Sequence, residues 1–213
     1  MRQCSPVERP AGSAHCSGMC NDYEQHVREA AYRKALEALE LGGSDGDEAA
    51  LIVADDIRIG DVGPVLRAAG NGVELKPMRF GFPPPRAKAP PVFNFKSDNR
   101  SFADSRRCVV VLSGFFEFTG SKYPKTKHRF SLKGSPIMGI AGLWSGDEDG
   151  GLSFTMLTCP PGPDVEPIHD RQVCVLKPEQ WAEWLFLTRP EAELLRPLPA
   201  GTLDVEVVRE GKQ

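Results

Sequence analysis

The punctuation of this sequence limits its fold before any motif is read. Its 21 glycines and 19 prolines recur without a period, so regular elements are cut short and the chain turns often. Long helical bundles and fibrous repeats are excluded on that ground. Between the breakers lie short apolar or alternating runs at 51–53, 56–59, 62–66, 73–82, 107–118, 128–132, 137–144, 153–158, 173–176 and 205–208. Strand-like runs this close together, with only a few helical stretches, predict an α+β chain with a mainly antiparallel, barrel-like sheet core and peripheral helices. A chain of 213 residues that is 40% apolar supplies one domain with a substantial core, and no internal repeat or second domain is visible.

Several local expectations follow. Asp22 with Gln25 three residues on reads as a capping box, and Tyr23, Val27, Ala31, Ala35 and Leu39 recur at fourfold spacing before Gly42 and Gly43, which predicts an amphipathic helix from Asp22. Residues 42–48 read as a polar loop. Gly70-Asn71-Gly72 predicts a hairpin turn with 73–82 as the returning strand. Residues 83–91 hold five prolines around Arg86 and Lys88, a stiff, exposed basic loop. The most apolar run, 107–118, reads as one buried strand ending near Glu117. Pro178 and Pro190 each open a helix, over 179–187 and 191–195.

Charge is unevenly placed. The formal net charge is only −3, yet from Lys76 to Lys133 there are 13 lysines and arginines against three acids, Asp98, Asp104 and Glu117. A basic middle third in an otherwise acidic chain suggests a face for a polyanion, nucleic acid first, with a set of solvated loops as the alternative. The six cysteines, Cys4, Cys16, Cys20, Cys108, Cys159 and Cys174, form no Cys-x-x-Cys pair, so neither a metal nor a cofactor is expected. Residues 1–18 lack the apolar core of a secretory signal, and no run approaches the ~18 apolar residues of a membrane span. The expectation is a cytoplasmic protein with free thiols, without a membrane partner and monomeric by default.

Four positions carry chemistry. Glu117 lies among Phe115, Phe116 and Phe118, where desolvation would raise its pKa toward that of a general acid or base; the alternative is a strand-end carboxylate turned to water. His169, in Ile168-His169-Asp170-Arg171, sits in a loop between rigid strands, as catalytic histidines do, or is incidental there. Asn94, between Phe93 and Phe95, orients a reacting group or caps a turn. Cys20 follows Met19. Inside a chain it is a small buried hydrophobe; as a first residue it carries an α-amine with a pKa of about 8 beside a thiol of about 8.5, both available near neutrality. With an aldehyde such a 1,2-aminothiol gives a Schiff base and then a thiazolidine ring.

Together these positions resemble the SRAP family, the SOS response-associated peptidases that crosslink to abasic sites in single-stranded DNA. Met19-Cys20 is similar to the family's Met-Cys start, and Phe80-Gly81-Phe82-Pro83-Pro84 to its Trp-Gly-hydrophobic-x-Pro segment. Asn94-Phe95-Lys96 resembles Asn-Ala-Arg, and 113–118 resembles Asp-Gly-Phe-Tyr-Glu-Trp. The run 154–158 resembles the family's strand ending in Thr, and 169–173 its His-Asp-Arg-Met-Pro. The resemblance implies that Cys20 is the nucleophile bonding C1′ of the opened sugar, Asn94 positions its amine, Glu117 shuttles protons and His169 assists at the sugar. It further implies that Thr158 and Arg171 line the site, Lys96 contacts a phosphate, and Phe80 stacks on a base or wedges the strand. Domain bounds follow as a leader over 1–19, disordered and absent from or removed in the mature protein, and an SRAP-like domain over 20–213.

The chain departs from the family where Asn21 and Asp22 stand in place of a basic residue, Lys96 in place of Arg, and Phe80 in place of Trp. The residues before Met19 keep the Cys20 nitrogen in an amide, so either the true start is Met19 or the protein cleaves its own Met19-Cys20 bond, the peptidase activity in the family's name. On this reading the protein is a self-processing DNA-repair enzyme of the cytoplasm, associated with the nucleoid when bound to DNA. Two other readings remain: a thiol peptidase using Cys20 with His169, and a non-catalytic single-strand-binding module built on the basic face with Phe80, Phe93 and Phe95.

Overall fold

Residues 107–112 show why this chain builds two cores. In strand β6 (Arg107–Leu112), Cys108, Val110 and Leu112 point one way and Val109 and Val111 the other, and none of the five has exposed surface. A strand apolar on both sides has to be covered twice. The computed structural model, which describes residues 22–39, 51–84, 86, 88–147 and 150–212, shows how.

The larger sheet has eight strands. β3 (Val62–Ala69) and β4 (Gly72–Phe80) form the expected hairpin over Gly70-Asn71. β3 pairs with β6, β6 with β9 (Met138–Gly146), and β9 with β10 (Leu152–Cys159). β10 also runs parallel to β4 and to the short β5 (Asn94–Lys96), so the pairings return to their start through β3, β4, β6, β9 and β10. β11 (Gln172–Val173) and β12 (Val175–Leu176) complete it. The second sheet has five strands in the order β13 (Leu203–Arg209), β8 (Thr126–Leu132), β7 (Gly114–Thr119), β1 (Asp22–Gln25) and β2 (Ala54–Arg58), all antiparallel. The mainly antiparallel sheet core with few helices agrees with the expected class.

One core gathers Tyr23, Ile57, Phe115 and Phe130 of the five-stranded sheet with Val110, Phe80, Phe154 and Met156 of the larger one. The other sets Leu66, Val109 and Leu157 against Tyr32 of helix α1 (Glu29–Ala38), Trp181 and Trp184 of α2 (Trp181–Phe186) and Leu194 of α3 (Glu191–Leu194). Trp184 Nε1 donates to the Cys108 carbonyl at 2.8 Å, and Arg107 caps the end of α2 by donating to the carbonyls of Trp184 and Leu185. Both helices opened by Pro178 and Pro190 are present, the first through a 3₁₀ turn at Pro178–Gln180. Among the described residues no helix is long and apolar enough to cross a membrane.

Three expectations need correction. The helix does not begin at Asp22: residues Asp22–Gln25 are strand β1, buried at every position, and the helix starts at Glu29. Pairing to two neighbouring strands outweighs the local capping pattern, and the Gln25 side chain accepts the Val27 N–H at 3.2 Å instead. The run 107–118 is two strands in different sheets, because Ser113 breaks it; its backbone N–H donates to the Glu24 carbonyl, and its side chain also meets Glu24. Residues 51–53 are not strand, and that strand starts at Ala54. The expected loop at 42–48 lies outside the described residues.

Where β9 and β10 pair, a Cβ on Gly142 would lie 2.7 Å from the Thr155 carbonyl and 3.1 Å from Cys108 Sγ. Gly142→Ala is therefore expected to destabilise the protein by about 1–3 kcal/mol, read from the urea unfolding midpoint. An unchanged midpoint would show that the β9 to β10 spacing yields.

Candidate active site

The site forms where β5, β10 and the chain just before β11 meet the end of β7. Parallel pairing sets Asn94 beside Met156 and Lys96 beside Thr158. Thr158 is fully buried and joins the pieces. Its hydroxyl donates to the Phe95 carbonyl at 3.3 Å, and its own carbonyl accepts from Ser97 Oγ at 2.9 Å and Arg171 Nη2 at 2.9 Å. Arg171 Nη2 also donates to Thr158 Oγ1 at 3.2 Å and to Asp98 Oδ2 at 2.6 Å. The Arg171 hydrogen bond holds the Asp98 carboxyl below the usual carboxylate range. Among the described residues Arg171 Nε is buried with no hydrogen-bond partner.

His169 depends on the same arginine. The Arg171 backbone meets His169 Nδ1 twice, through its N–H and its carbonyl oxygen, each at 3.0 Å, which fixes the orientation of the ring. Nε2 faces Glu117 Oε2 at 4.0 Å, and the imidazole is nearly buried while the carboxylate is fully so. That separation exceeds a hydrogen bond, but is close enough for one proton-bearing group to serve both. Asp170 reaches Nδ1 at 3.1 Å from the solvent side. The loop bearing His169 is clasped to the start of β13, where the Asp164 carboxylate accepts the backbone N–H groups of Gly201, Thr202 and Leu203 at 2.8, 3.1 and 3.0 Å.

Glu117 comes from β7. Alternation puts it on the face of Phe115, in the core between the sheets, while Phe116 and Phe118 face the other way. Its complete burial is the environment the sequence reading asked for. Beside β7 runs β1, with Tyr23 opposite Phe115. Asp22, the first residue of β1, is two residues after Cys20; Cys20 and the 1–19 leader lie outside the described residues.

The structure thus brings together Glu117 with His169, and Thr158 with Arg171, Asn94 and Lys96. Asn94 is half-buried and lines a cleft of ≈ 550 Å³ with Arg86, the prolines 90 and 91, and Phe93. Lys96 is exposed beside it. Phe80 differs from expectation. It has no exposed surface, stacks on Phe154 at 5.0 Å and meets Tyr23 edge-on, so where it stands it packs the core and meets no base. The half-buried rings near the cleft are Phe82, Phe93 and Phe95, with Arg100 over Phe95 at 5.9 Å. Sequence reasoning missed Asp98 and Asp164, which show only as ordinary loop acids until the fold delivers their partners. The basic middle third divides. Arg107 is bound to carbonyls, while Lys76, Lys127 and Arg129 are paired with acids. Arg79, Arg86, Lys88, Lys96 and Arg100 are exposed. Cys108, Cys159 and Cys174 are buried free thiols, and burial pushes Cys108 and Cys174 well up.

Comparison with known proteins places this geometry. The family model for SOS response associated peptidase (SRAP) matches residues 19–211, and the chain belongs to that family. It is 32% identical over 146 residues to the abasic site processing protein YoqW of Bacillus subtilis, covering 61% of this chain and 65% of that protein. It is 31% identical over 103 residues to an abasic site processing protein of Saccharomyces cerevisiae, covering 44% of this chain and 28% of that one. The match therefore spans less than two thirds of either relative. A crystal structure of a Bordetella bronchiseptica protein shares the fold with a TM-score of 0.68 at 22% identity, covering 89% of this chain and 100% of that one. A Bacteroides thetaiotaomicron protein gives 0.67 at 19%, over 89% and 92%.

The Asp98 to Arg171 pair supplies a test of the network. A depressed carboxyl pKa contributes stability that is present above its unfolded value, about 3.9, and is lost as pH falls through the folded one. In Arg171→Ala the Asp98 carboxyl is expected to titrate at higher pH than in the wild type, followed by side-chain carbon NMR. An unmoved titration would show that Arg171 does not hold it.

Proposed function

We propose that this protein captures abasic sites in single-stranded DNA covalently, through a thiazolidine formed by Cys20 once Cys20 heads the chain. The observation that carries the reading is the fully buried Glu117 facing His169 Nε2 at 4.0 Å, on the strand beside β1. Asp22 opens β1, and two residues of chain span at most about 7 Å, so Cys20 cannot be far from the end of β1.

The chemistry moves protons near one sugar in every step. Opening the abasic deoxyribose takes the proton from the C1′ hydroxyl and delivers one to the ring oxygen, leaving an aldehyde at C1′. The Cys20 α-amine adds to that carbon, and the resulting carbinolamine loses water to give a Schiff base. The thiol sulfur then adds to the same carbon, its proton passing to the nitrogen, and the five-membered ring closes. Glu117, desolvated between the sheets, takes and returns protons at C1′, and His169 Nε2 delivers one at the sugar ring. Asn94 orients the amine, and Thr158 and Arg171 shape the wall. Where translation begins at Met19, an aminopeptidase that removes it frees the amine; where it begins upstream, the protein itself hydrolyses the Met19-Cys20 bond first.

DNA affinity comes from exposed cations. Arg86 in the cleft and the exposed Lys96 and Arg100 meet phosphates without reading sequence, and the half-buried Phe82, Phe93 and Phe95 offer ring surface to unstacked bases. Specificity then resides in the aldehyde.

Mixing trimmed protein with a single-stranded oligonucleotide carrying one abasic site should give a denaturation-resistant adduct whose mass is that of the two components less one water. Cys20→Ala should give none, and Glu117→Gln or His169→Ala should slow its formation about a hundredfold or more. Protein with a free Cys20 α-amine that forms no adduct would overturn the reading. Lys96→Ala should weaken binding to undamaged single strands and reduce the slope of log affinity against log salt by about one. A slope equal to that of the wild type would remove Lys96 from the phosphate contacts.

A further inference from the structure

Strand β1 is held to its sheet by more than backbone pairing. It is only four residues long, with two residues in register with β7 and an irregularity in its pairing to β2 between Tyr23 and Gln25. Two ion pairs reinforce it, and both pass over β7 to reach β8. At the trailing end Glu24 Oε1 accepts from Arg129 Nε and Nη2 at 2.9 and 2.6 Å. Gly114 lies beneath, where a Cβ would sit 3.1 Å from Glu24 Oε1 and 3.3 Å from Arg129 Nε. At the leading end Lys127 Nζ meets Asp22 Oδ2 at 3.1 Å, bonds Asp56 Oδ1 on β2, and rests 3.5 Å from the centre of the Phe116 ring. Here β1, β2 and β8 are tied through one ammonium group whose side chain is only 10% exposed.

This second strap sits at the end of β1 that leads to Cys20, and on the sheet face opposite Glu117. Lys127 is in register with Phe118 and shares the face of Phe116 and Phe118, whereas Glu117 faces the core between the sheets. The ammonium group therefore cannot touch atoms reacting at Glu117. Its influence runs through Asp22, whose side chain is 7% exposed and whose backbone is the start of β1. Burial raises the Asp22 carboxyl to about 6, above its ordinary value, against the opposing pull of Lys127, because that cation is divided between two carboxylates. A strand end that sets a desolvated carboxylate against a shared lysine is expensive as mere stabilisation, since buried ion pairs rarely exceed their desolvation cost. It is suited to fixing one geometry.

The geometry points to Lys127 as a positioning residue for the proposed reaction: by clamping Asp22 to β8 and β2 it fixes the start of β1, two residues along the chain from Cys20. This rests on the reading of Cys20 as nucleophile, and nothing in the sequence pattern singles Lys127 out from the other cations around it.

The test compares trimmed wild type with Lys127→Met, Asp22→Asn, Lys127→Arg and Arg129→Met, using a single-stranded oligonucleotide with one abasic site at saturating concentration. Displacing the nucleophile by about an ångström should slow adduct formation ten- to a hundredfold. That loss is expected in Lys127→Met and Asp22→Asn, with unchanged affinity for the undamaged oligonucleotide, while Lys127→Arg recovers most of the rate. Arg129→Met removes the strap at the far end, so it should lower the urea midpoint and leave the rate of the folded protein within about twofold of wild type. Asp22 faces Lys127 and Asp56, with Arg58 beyond Asp56, so the gap between wild type and Asp22→Asn should narrow as pH falls below about 6. A Lys127→Met rate equal to wild type would overturn the proposal, and so would equal losses in Lys127→Met and Arg129→Met. If Lys127→Met does not fold, Asp22→Asn decides alone, since it keeps the shape of the side chain. Failure of the wild type itself to form the adduct would instead remove the function proposed for Cys20.

Discussion

A strand with apolar side chains on both faces cannot sit at a protein surface, and β6 obliges the rest of the chain to cover it twice. Helices α1, α2 and α3 do so on one side, with Trp181 and Trp184 as the largest buried groups. The five-stranded sheet does so on the other, through Tyr23, Phe115 and Phe130. Because β7 follows β6 after the single residue Ser113, the chain passes from one sheet to the other in one step. That step carries Glu117 into the space between the sheets. The burial that makes this carboxylate chemically interesting is thus a by-product of the same packing that holds the two cores together.

The distribution of charge follows from the same layering. Thirteen cations between Lys76 and Lys133 suggest a uniform basic face, but the fold uses several of them internally. Arg107 satisfies carbonyls at the end of α2, and Lys127 and Arg129 cross β7 to hold β1. Of the cations left at the surface, Arg86 lines the cleft with Asn94.

Around the cleft, rigidity comes from side chains bonded to backbone. Arg171 joins Thr158 and Asp98, its backbone orients the His169 ring, and Asp164 fastens the histidine loop to β13. Each is a polar group given its partners in a poorly hydrated place, where an unmade bond is costly. Such a network holds the loop that sets His169 opposite Glu117.

Much of this was legible in the sequence, for reasons that lie in local chemistry. Apolar runs between glycines and prolines marked most of the strands, Pro178 and Pro190 marked helix starts, and the residue types at 94, 117 and 169 singled those positions out as candidates, because backbone sterics and side-chain reactivity belong to single residues and their neighbours. What sequence could not show was set by contacts between distant segments. Asp22 and Gln25 carry the pattern of a helix cap, yet pairing with β2 and β7 makes them strand. The family resemblance implies that Phe80 meets a base, yet the stack with Phe154 makes it core. Lys127 is one basic residue among thirteen until Asp22 and Asp56 close on it from two other strands. Propensity and chemical type are properties of the local chain, whereas burial, pairing and the company a charge keeps arise only when remote parts of the chain meet, and those energies outweigh a local preference worth about a kilocalorie per mole.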